Sequence, residues 1–243
     1  MLAGDRPLYS AIMSTLLDRA SRAALDLLFP PRCGVCRAGG ELLCDDCIDD
    51  LPPADGRRCQ RCWMPVARTA LCRNCGESPP AYVSIRAPYV MDGAARRLAH
   101  ELKYEGMTAL AAPMARLMTD HVDATDVDLV VGVPLHRSRE RARGYNQAEE
   151  LAKHIAALTA LRTDRRAVRR IRATAPLVKT MHREERSEIM RGAFTGSREH
   201  LAGARVLLID DVVTTGTTLD ACAQAMRSVG AREVRCLTWA RAD

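Results

Sequence analysis

Two groups of residues in this 243-residue chain have the types and spacing of chemical sites. Eight of the ten cysteines form four Cys-x-x-Cys pairs between residues 33 and 75. The other group is the segment VLLIDDVVTTGTTLD at 206–220, where an apolar run leads into two adjacent acids and a threonine-rich turn. Thiolate pairs bind metal ions, whereas a hydroxyl-rich turn before a helix suits a phosphorylated ligand.

The cysteine pairs predict two structural zinc sites. A tight turn lets both thiolates of one pair bind the same Zn²⁺, and a second pair completes a tetrahedral shell without an open position for catalysis. Disulfides are the alternative, which the reducing cytoplasm disfavours. We predict sequential pairing, although the spacing also allows the first pair to combine with the third and the second with the fourth. The predicted ligands are Cys33, Cys36, Cys44 and Cys47 for one zinc and Cys59, Cys62, Cys72 and Cys75 for the other. The two remaining cysteines, Cys222 and Cys236, lie in apolar surroundings and are predicted to belong to the core.

The acid pair is predicted to stand at the end of a central strand. The continuous apolar run at 206–209 is typical of a strand covered on both faces, and ligands in open α/β sheets bind beyond the carboxyl ends of such strands. Asp210 and Asp211 occupy that position. The turn at 214–218 then offers hydroxyls, a glycine and free helix N–H groups to one phosphate. Carboxylates beside a phosphate site indicate a ligand with hydroxyl groups and a divalent cation, such as a sugar phosphate; a plain helix N-cap is the alternative.

Three regions must position these groups. We predict an amphipathic helix over residues 1–30, a cysteine module over 31–78 that consists of two similar halves, and an α/β domain over 81–243. The apolar positions of the helix include Ile12, Leu16, Leu27 and Leu28. Strand and helix patterns alternate in the last region, which predicts parallel βαβ units with right-handed crossovers.

Composition and charge exclude several classes of protein. No apolar run approaches the ~18–20 residues that span a bilayer, and no secretory signal is present, so we expect a cytoplasmic protein without a membrane span. The formal net charge of +6 falls to about +2 when eight thiolates bind two Zn²⁺. Overall basicity therefore does not indicate a nucleic-acid partner. Residues 161–191 nevertheless hold ten Lys and Arg against four acids, which forms a local basic stretch.

Several motifs resemble a known family. The apolar strand, the Asp-Asp pair and the Thr-Thr-Gly-Thr-Thr turn resemble the motif with which type I phosphoribosyltransferases bind phosphoribosyl pyrophosphate (PRPP). Over residues 27–241 the chain is similar to the ComF family, whose members combine a zinc module with a phosphoribosyltransferase domain and are linked to DNA uptake in natural competence. The shared segments are LFPPRCGVC, RRLAHELKYEG, VPLHRSRERARGYNQAEELA and MRGAFTG. The resemblance implies a type I phosphoribosyltransferase-like parallel sheet with flanking helices, preceded by a small zinc-ribbon module.

The resemblance also implies roles for individual residues. Asp210 and Asp211 would hold the ribose hydroxyls of PRPP, bound with Mg²⁺, and would be the catalytic acids. Arg137 and Arg143, in the loop after a buried strand, would contact the pyrophosphate. The remaining PRPP-binding residues would be Val213, Thr214, Thr215, Gly216, Thr217 and Thr218.

Whether the chain is an enzyme stays open at this point. Leu177 and Ile189 stand where the family commonly has polar residues, within a segment (174–190) expected to close over PRPP. One hypothesis is a phosphoribosyltransferase. The other is a non-catalytic protein that responds to PRPP or a nucleotide and binds single-stranded DNA together with competence or DNA-uptake proteins. In that hypothesis the zinc module and the basic stretch contact the DNA.

Overall fold

The computed structural model describes residues 30–122, 126–174 and 183–242. The predicted amphipathic helix, with Ile12, Leu16, Leu27 and Leu28, lies outside these residues, and so does Leu177. No helix within the described ranges is both long and apolar enough to cross a bilayer.

The described residues alternate between strands and helices in the order that the sequence predicts. The strands are β1 (Ser84–Arg86), β2 (Tyr89–Val90), β3 (Leu129–Gly132), β4 (Arg162–Thr163), β5 (Val168–Arg170), β6 (Phe194–Gly196), β7 (Arg205–Val213) and β8 (Glu233–Arg241). The helices are α1 (Asp45–Asp49), α2 (Arg73–Glu77), α3 (Gly93–Tyr104), α4 (Ala111–Thr119), α5 (Arg137–Arg143), α6 (Gln147–Thr159), α7 (Arg183–Met190), α8 (Arg198–Leu201) and α9 (Thr217–Ser228).

A parallel sheet organises the fold. Its strand order is β1-β8-β7-β3-β4, with β2 also paired to β8, and each of these pairings is parallel. The predicted α/β class is therefore confirmed, and the apolar run 206–209 lies in the middle of the sheet. β5 and β6 pair antiparallel in a separate sheet.

Side-chain alternation along β7 divides the core between the two faces of the sheet. Val206 and Leu208 face α9 and the β5–β6 pair, whereas Leu207 and Ile209 face α3, α4 and α6. The predicted core cysteines, Cys222 and Cys236, are buried on the first of these faces.

Two segments differ from the sequence-based expectation. β7 does not end before the acids but continues through both of them to Val213, because β8 pairs with it along this length, for example Asp210 with Thr238. The arginine-rich segment after β3 is not a loop but the helix α5, which His136 caps by accepting a hydrogen bond from the Ser138 backbone N–H.

A glycine at the end of β3 sets the height of α6 above the sheet. A Cβ atom on Gly132 would lie 2.7 Å from backbone atoms of Ala148 and Glu149. Such a distance is shorter than real Cβ contacts, so only glycine lets α6 pack this closely. The first turn of α6 is thereby held next to the carboxyl ends of β3 and β7.

Candidate functional site

The predicted zinc ligands come together as two clusters within the described residues. Four sulfur atoms in each cluster lie within 4.8 Å of one another. The Sγ–Sγ distances include 3.6 Å between Cys36 and Cys44 and 3.6 Å between Cys62 and Cys72. Four thiolates bound to one Zn²⁺ at ~2.3 Å would be about 3.8 Å apart, so the donor sets fit tetrahedral zinc. The clusters contain Cys33, Cys36, Cys44 and Cys47, and Cys59, Cys62, Cys72 and Cys75, which is the sequential pairing.

Each cysteine cluster belongs to one zinc ribbon: the first ribbon holds the cluster at 33–47 and the second ribbon the cluster at 59–75. The two ribbons repeat the same local structure. In each, the first cysteine pair forms a turn whose last N–H donates to the first cysteine carbonyl: Arg37 to Cys33 at 3.0 Å and Trp63 to Cys59 at 2.9 Å. The second pair opens a short helix, with its first cysteine as the N-cap of α1 or α2. The duplication that the sequence indicates is thus present in three dimensions.

The thiols of each cluster cannot all ionise without a cation. Burial raises the pKa of Cys33 and Cys59, but backbone hydrogen bonds outweigh burial and lower each pKa to about 6. Burial and the neighbouring cysteines raise the pKa of Cys47 and Cys75 well above the usual thiol value. Two or more negative charges at this spacing repel strongly, and a divalent cation relieves the repulsion.

The first ribbon packs against α3. Arg37 forms an ion pair with Glu101 of α3, and Arg97 donates a 2.6 Å hydrogen bond to the Val35 carbonyl. Cys33 and Cys47 belong to the same buried cluster as the apolar side chains of α3. The first ribbon therefore covers one face of the domain.

The second ribbon packs on the opposite face and on the edge strand β1. Its Trp63 Nε1 donates to the Ala87 carbonyl at 2.8 Å, and the Arg61 carbonyl accepts a hydrogen bond from Ile85 N at 2.7 Å. The buried Arg241 at the end of β8 donates to the Cys62 carbonyl at 2.7 Å. The backbone of one predicted zinc ligand in this ribbon is thus hydrogen-bonded directly to a residue of the sheet.

The acid pair stands at the carboxyl end of β7, with the two side chains on opposite faces of the strand. Asp211 is only 2% exposed and contacts α3 and α6, whereas Asp210 is partly exposed and lies on the α9 side. Asp210 Oδ1 accepts a hydrogen bond from Asp211 N at 2.9 Å. The alternation of a strand, which continues through both acids, directs the two side chains toward different helices, while the carboxyl groups stay within hydrogen-bonding range of each other.

Asp211 is the centre of a polar network. Lys103 Nζ of α3 lies 3.1 Å from Asp211 Oδ2, and Gln147 Nε2 of α6 lies 3.4 Å from Oδ1. The side-chain oxygen of Gln147, Oε1, in turn accepts a hydrogen bond from Arg143 of α5. Arg143 also lies over the Tyr104 ring, 5.6 Å from its centroid. Two helices thus deliver polar or charged groups to one carboxylate, and α5 joins the network through Gln147.

The two acids have pKa shifts of opposite sign. Burial and the charge of Asp211 raise the pKa of Asp210 well above its ordinary value. Burial also acts to raise the pKa of Asp211, but the charge of Lys103 together with hydrogen bonds from Asp210, Lys103 and Gln147 outweighs it, and the pKa is lowered. Asp211 is therefore ionised at neutral pH, whereas Asp210 holds its proton more tightly than an exposed aspartate.

The threonine turn leads directly from β7 into α9. Gly216, the N-cap of α9, has a φ of 77°, and a Cβ there would lie 2.9 Å from the Tyr82 hydroxyl. Glycine is therefore required both by the left-handed backbone and by the contact with Tyr82. Thr215 and Thr217 hydroxyls are 2.8 Å apart, and the Thr214 carbonyl accepts a 2.7 Å hydrogen bond from Arg241. Val213 and Thr217 are buried and Thr218 is partly exposed.

Helix α5 divides the four arginines of its sequence into two pairs. Arg143 and Arg139 face inward: Arg143 contacts Gln147, and Arg139 donates to the Thr174 carbonyl at 2.7 Å. Arg137 and Arg141 are exposed on the other side. Of the two arginines that the sequence singles out, Arg143 joins the network around Asp211. Arg137 makes no polar contact with any described residue, and its role stays a prediction.

Sequence reasoning missed two residues of this site, Lys103 and Arg170. Both approach the acid pair; the charge of Asp210 acts on Arg170, whose pKa is lowered by burial and by the neighbouring Arg139. Gln147, which also approaches Asp211, lies in the segment VPLHRSRERARGYNQAEELA that carries the family resemblance. Lys103 follows the apolar stripe of α3, and Gln147 is the first residue of α6, so a polar residue at the border of a buried helix face was the available signal. Asn146, beside Gln147, is structural: it caps α6 and donates to the Val133 carbonyl at 3.0 Å.

Substitution of the two acids should change stability in opposite directions. Asp210→Asn should stabilise the unliganded protein increasingly as the pH rises. The raised folded-state pKa means that Asp210 ionises at a lower pH in the unfolded state than in the folded state, so the wild type loses stability as the pH rises between these two pKa values, and the amide does not. Asp211→Asn should destabilise it by about 1–3 kcal/mol near neutral pH, because Lys103 loses its partner. Urea unfolding between about pH 5 and pH 8 measures both effects. Shifts of the same sign in the two variants would contradict the charge distribution described above.

The double variant Cys36→Ser/Cys44→Ser distinguishes the two zinc pairings by metal content. Both substitutions fall in one sequential cluster, so the variant should retain one zinc per chain, whereas crossed pairing would disrupt both sites. Metal analysis after purification under reducing conditions gives the result. Cys222→Ser, which changes a buried cysteine outside the clusters, is the control and should keep two zinc ions. Complete loss of zinc from the double variant would refute sequential pairing.

Comparison with known proteins identifies the same two parts. The family description "Double zinc ribbon domain" matches residues 24–76, and "Phosphoribosyl transferase domain" matches residues 107–242. The chain is 30% identical to the DNA utilization protein YhgH of Salmonella typhimurium, over 73% of this chain and 81% of that protein. It is 25% identical to the competence protein ComFC of Streptococcus pneumoniae, over 82% of this chain and 87% of that protein.

Among solved structures, a glutamine PRPP amidotransferase from B. subtilis matches with a TM-score of 0.41 and 19% identity, over 58% of this chain and 30% of that one. The family matches agree with the architecture described above, in which two cysteine ribbons pack on a parallel sheet. This chain belongs to the ComF family, in which a double zinc ribbon accompanies a phosphoribosyl transferase domain.

Proposed function

We propose that the protein binds PRPP with Mg²⁺ at the carboxyl end of β7. The supporting observation is that one continuous segment carries the two acids, the threonine turn and the start of α9, beside the Lys103–Asp211–Gln147 network. In this proposal Asp210 and Asp211 bind the ribose hydroxyls, because carboxylates accept hydrogen bonds from a diol. The 5′-phosphate lies at the N-terminus of α9 and is bound by Val213, Thr214, Thr215, Gly216, Thr217 and Thr218.

The pyrophosphate of PRPP is assigned to the basic side of the site. Arg143 is partly exposed, and its guanidinium is held by Gln147 and the Tyr104 ring. Lys103 adds a second cation within reach of the acid pair. Arginine suits this role because its planar donors match phosphate oxygens. Arg137 is the more distant candidate, since it is exposed on the outer side of α5.

The residues fit phosphoribosyl transfer as the reaction type. Carboxylate oxygens of Asp210 and Asp211 are ligands that Mg²⁺ accepts, and Mg²⁺ bound with PRPP neutralises charge on the pyrophosphate. The acids orient the ribose, while Arg143 and Lys103 stabilise the negative charge that develops as pyrophosphate departs from C1. The proposed activity is therefore pentosyl transfer to an acceptor base.

A second candidate function, contact with single-stranded DNA, is favoured by the exposed arginines of β4 and β5. Within the basic stretch, Arg165 pairs with Glu140 and Glu149, and Arg191 pairs with Glu188. Arg162 and Arg169 are exposed and form no ion pair with described residues. The names of the relatives, DNA utilization protein and competence protein, agree with a role in DNA uptake together with other competence proteins.

PRPP binding should depend on the acid pair. In calorimetric titrations with Mg²⁺, the double variant Asp210→Asn/Asp211→Asn should lose PRPP affinity by at least about a hundredfold, because both diol contacts lose their charge. The matched control Asp126→Asn/Asp128→Asn changes two acids near the amino end of β3 and should bind like the wild type. Undiminished binding in the first variant would contradict the assignment.

Pyrophosphate release then separates a transferase from a binding protein. Wild-type protein is incubated with PRPP, Mg²⁺ and a panel of purine and pyrimidine bases, and released pyrophosphate is measured. Release with one base and not with the others supports the transferase. Measurable PRPP binding without release with any base assigns the protein to the non-catalytic alternative.

DNA binding should depend on salt and on the two exposed arginines. Arg162→Glu/Arg169→Glu should weaken binding of a single-stranded oligonucleotide and reduce its salt dependence, because fewer counterions are released. Arg198→Glu, an exposed arginine outside the basic stretch, is the control for one charge reversal. Fluorescence anisotropy at several salt concentrations provides the measurement, and identical salt slopes for wild type and double variant would exclude this surface.

A further inference from the structure

A cleft of about 750 Å³ lies between the second ribbon, β1 and the turn that follows α4. It shares no residue with the site around the acid pair. Leu207 of β7 and Arg235 of β8 line it, and both precede the part of the sheet where Asp210 pairs with Thr238. The cleft is thus located toward the amino ends of these strands, whereas the acids stand toward the carboxyl ends.

The register of the sheet explains why the floor of the cleft is partly polar. Ser84 of β1, Arg235 of β8 and Leu207 of β7 are direct neighbours in register and therefore share one face. On the same face, Arg86 of β1 is paired with Leu237 of β8. Helices α3, α4 and α6 pack against this face farther along the sheet, and the second ribbon closes the open side with Arg61 and Leu71.

Three arginines converge on the cleft, and among the described residues only one of them, Arg235, pairs with acids. Arg86 lies over the Trp63 ring, 4.6 Å from its centroid, and donates to the carbonyls of Gln60 and Ile85. Burial and the nearby charge of Arg235 lower the pKa of Arg86. Arg235 itself pairs with Glu233 and lies 3.9 Å from Asp126, whereas Arg61 forms no ion pair with any described residue. An anion is the ligand that this arrangement stabilises.

The rest of the lining is apolar and incompletely covered. Leu71 and Val83 line the cleft and are 38% and 48% exposed, so they present apolar surface beside the arginines. Val122 and Leu237 extend the apolar wall inward. A phosphate group alone would leave this surface in water, whereas a ligand with a flat hydrophobic ring and a phosphate would cover both parts. The volume of the cleft is in the range of small-molecule binding sites.

We propose that this cleft binds a nucleoside 5′-phosphate, either free or as the 5′ end of a DNA strand. The phosphate contacts Arg61 and Arg86, and the base lies against the aliphatic wall formed by Leu71 and Val122. Guanidinium planes and bases also stack on one another, which adds to binding without selecting one base. The proposal is independent of PRPP binding, because it depends on neither the acids nor the threonine turn.

The test is a calorimetric titration of the zinc-loaded full-length protein with adenosine 5′-monophosphate. Arg61→Glu should weaken binding by at least about tenfold, because it reverses a charge that contacts the phosphate. Arg68→Glu makes the same change at an exposed arginine of the same ribbon outside the cleft and should leave binding within about twofold of the wild type. Ser84→Phe fills the cleft without changing its charge and should also weaken binding; zinc content and thermal unfolding verify that each variant is folded.

Competing ligands decide whether the cleft is the site. Adenosine and inorganic phosphate should each bind much more weakly than the monophosphate, and ribose 5-phosphate should not displace it. Equal affinity of Arg61→Glu and Arg68→Glu, absence of binding to the wild type, or efficient displacement by ribose 5-phosphate would overturn the proposal. A 5′-phosphorylated hexathymidylate that binds more tightly than the monophosphate identifies a DNA end as the ligand, whereas equal or weaker binding identifies a free nucleotide.

Discussion

The buried negative charge of Asp211 is the constraint on which the proposed ligand site depends. An ionised carboxylate that is almost excluded from water is stable only with a nearby cation and hydrogen-bond donors. Lys103 and Gln147 supply them, and they fix α3 and α6 against the carboxyl end of β7. Arg143 is positioned in turn through Gln147. The groups that stabilise Asp211 in the unliganded protein are therefore the groups that surround the proposed ligand.

The zinc ribbons pack on the sheet domain and share its hydrophobic core. A segment with so few large apolar residues cannot form a core by itself, and metal binding together with packing on the domain compensates for this. The connection is most direct at Arg241, which is buried and donates to the carbonyls of Cys62 in the second ribbon and Thr214 in the threonine turn. The backbone of the proposed phosphate site is thus fixed from the ribbon side.

Membership of the ComF family accounts for the architecture, but the reaction is a separate matter because function resides in sites rather than folds. The groups that are proposed to bind the ribose phosphate and the pyrophosphate come from the sheet edge and from α3, α5 and α6. The cleft beside the second ribbon adds a second place where phosphate chemistry is favoured, at the other end of the same strands.

The sequence by itself determined what depends on residues close together in the chain. The cysteine pairs, the apolar run of β7, the acid pair and the turn at 214–218 are local patterns, and each predicts its own chemistry through spacing and side-chain type. Tertiary structure decided what depends on distant residues: sequential zinc pairing, the inward placement of Arg143 rather than Arg137, and the cation beside Asp211. Arg241 and Cys62 are separated by 179 positions, and only the packing of a ribbon on a finished sheet brings them into contact. The physical reason is that such contacts are set by the burial of whole faces, which no short stretch of sequence encodes.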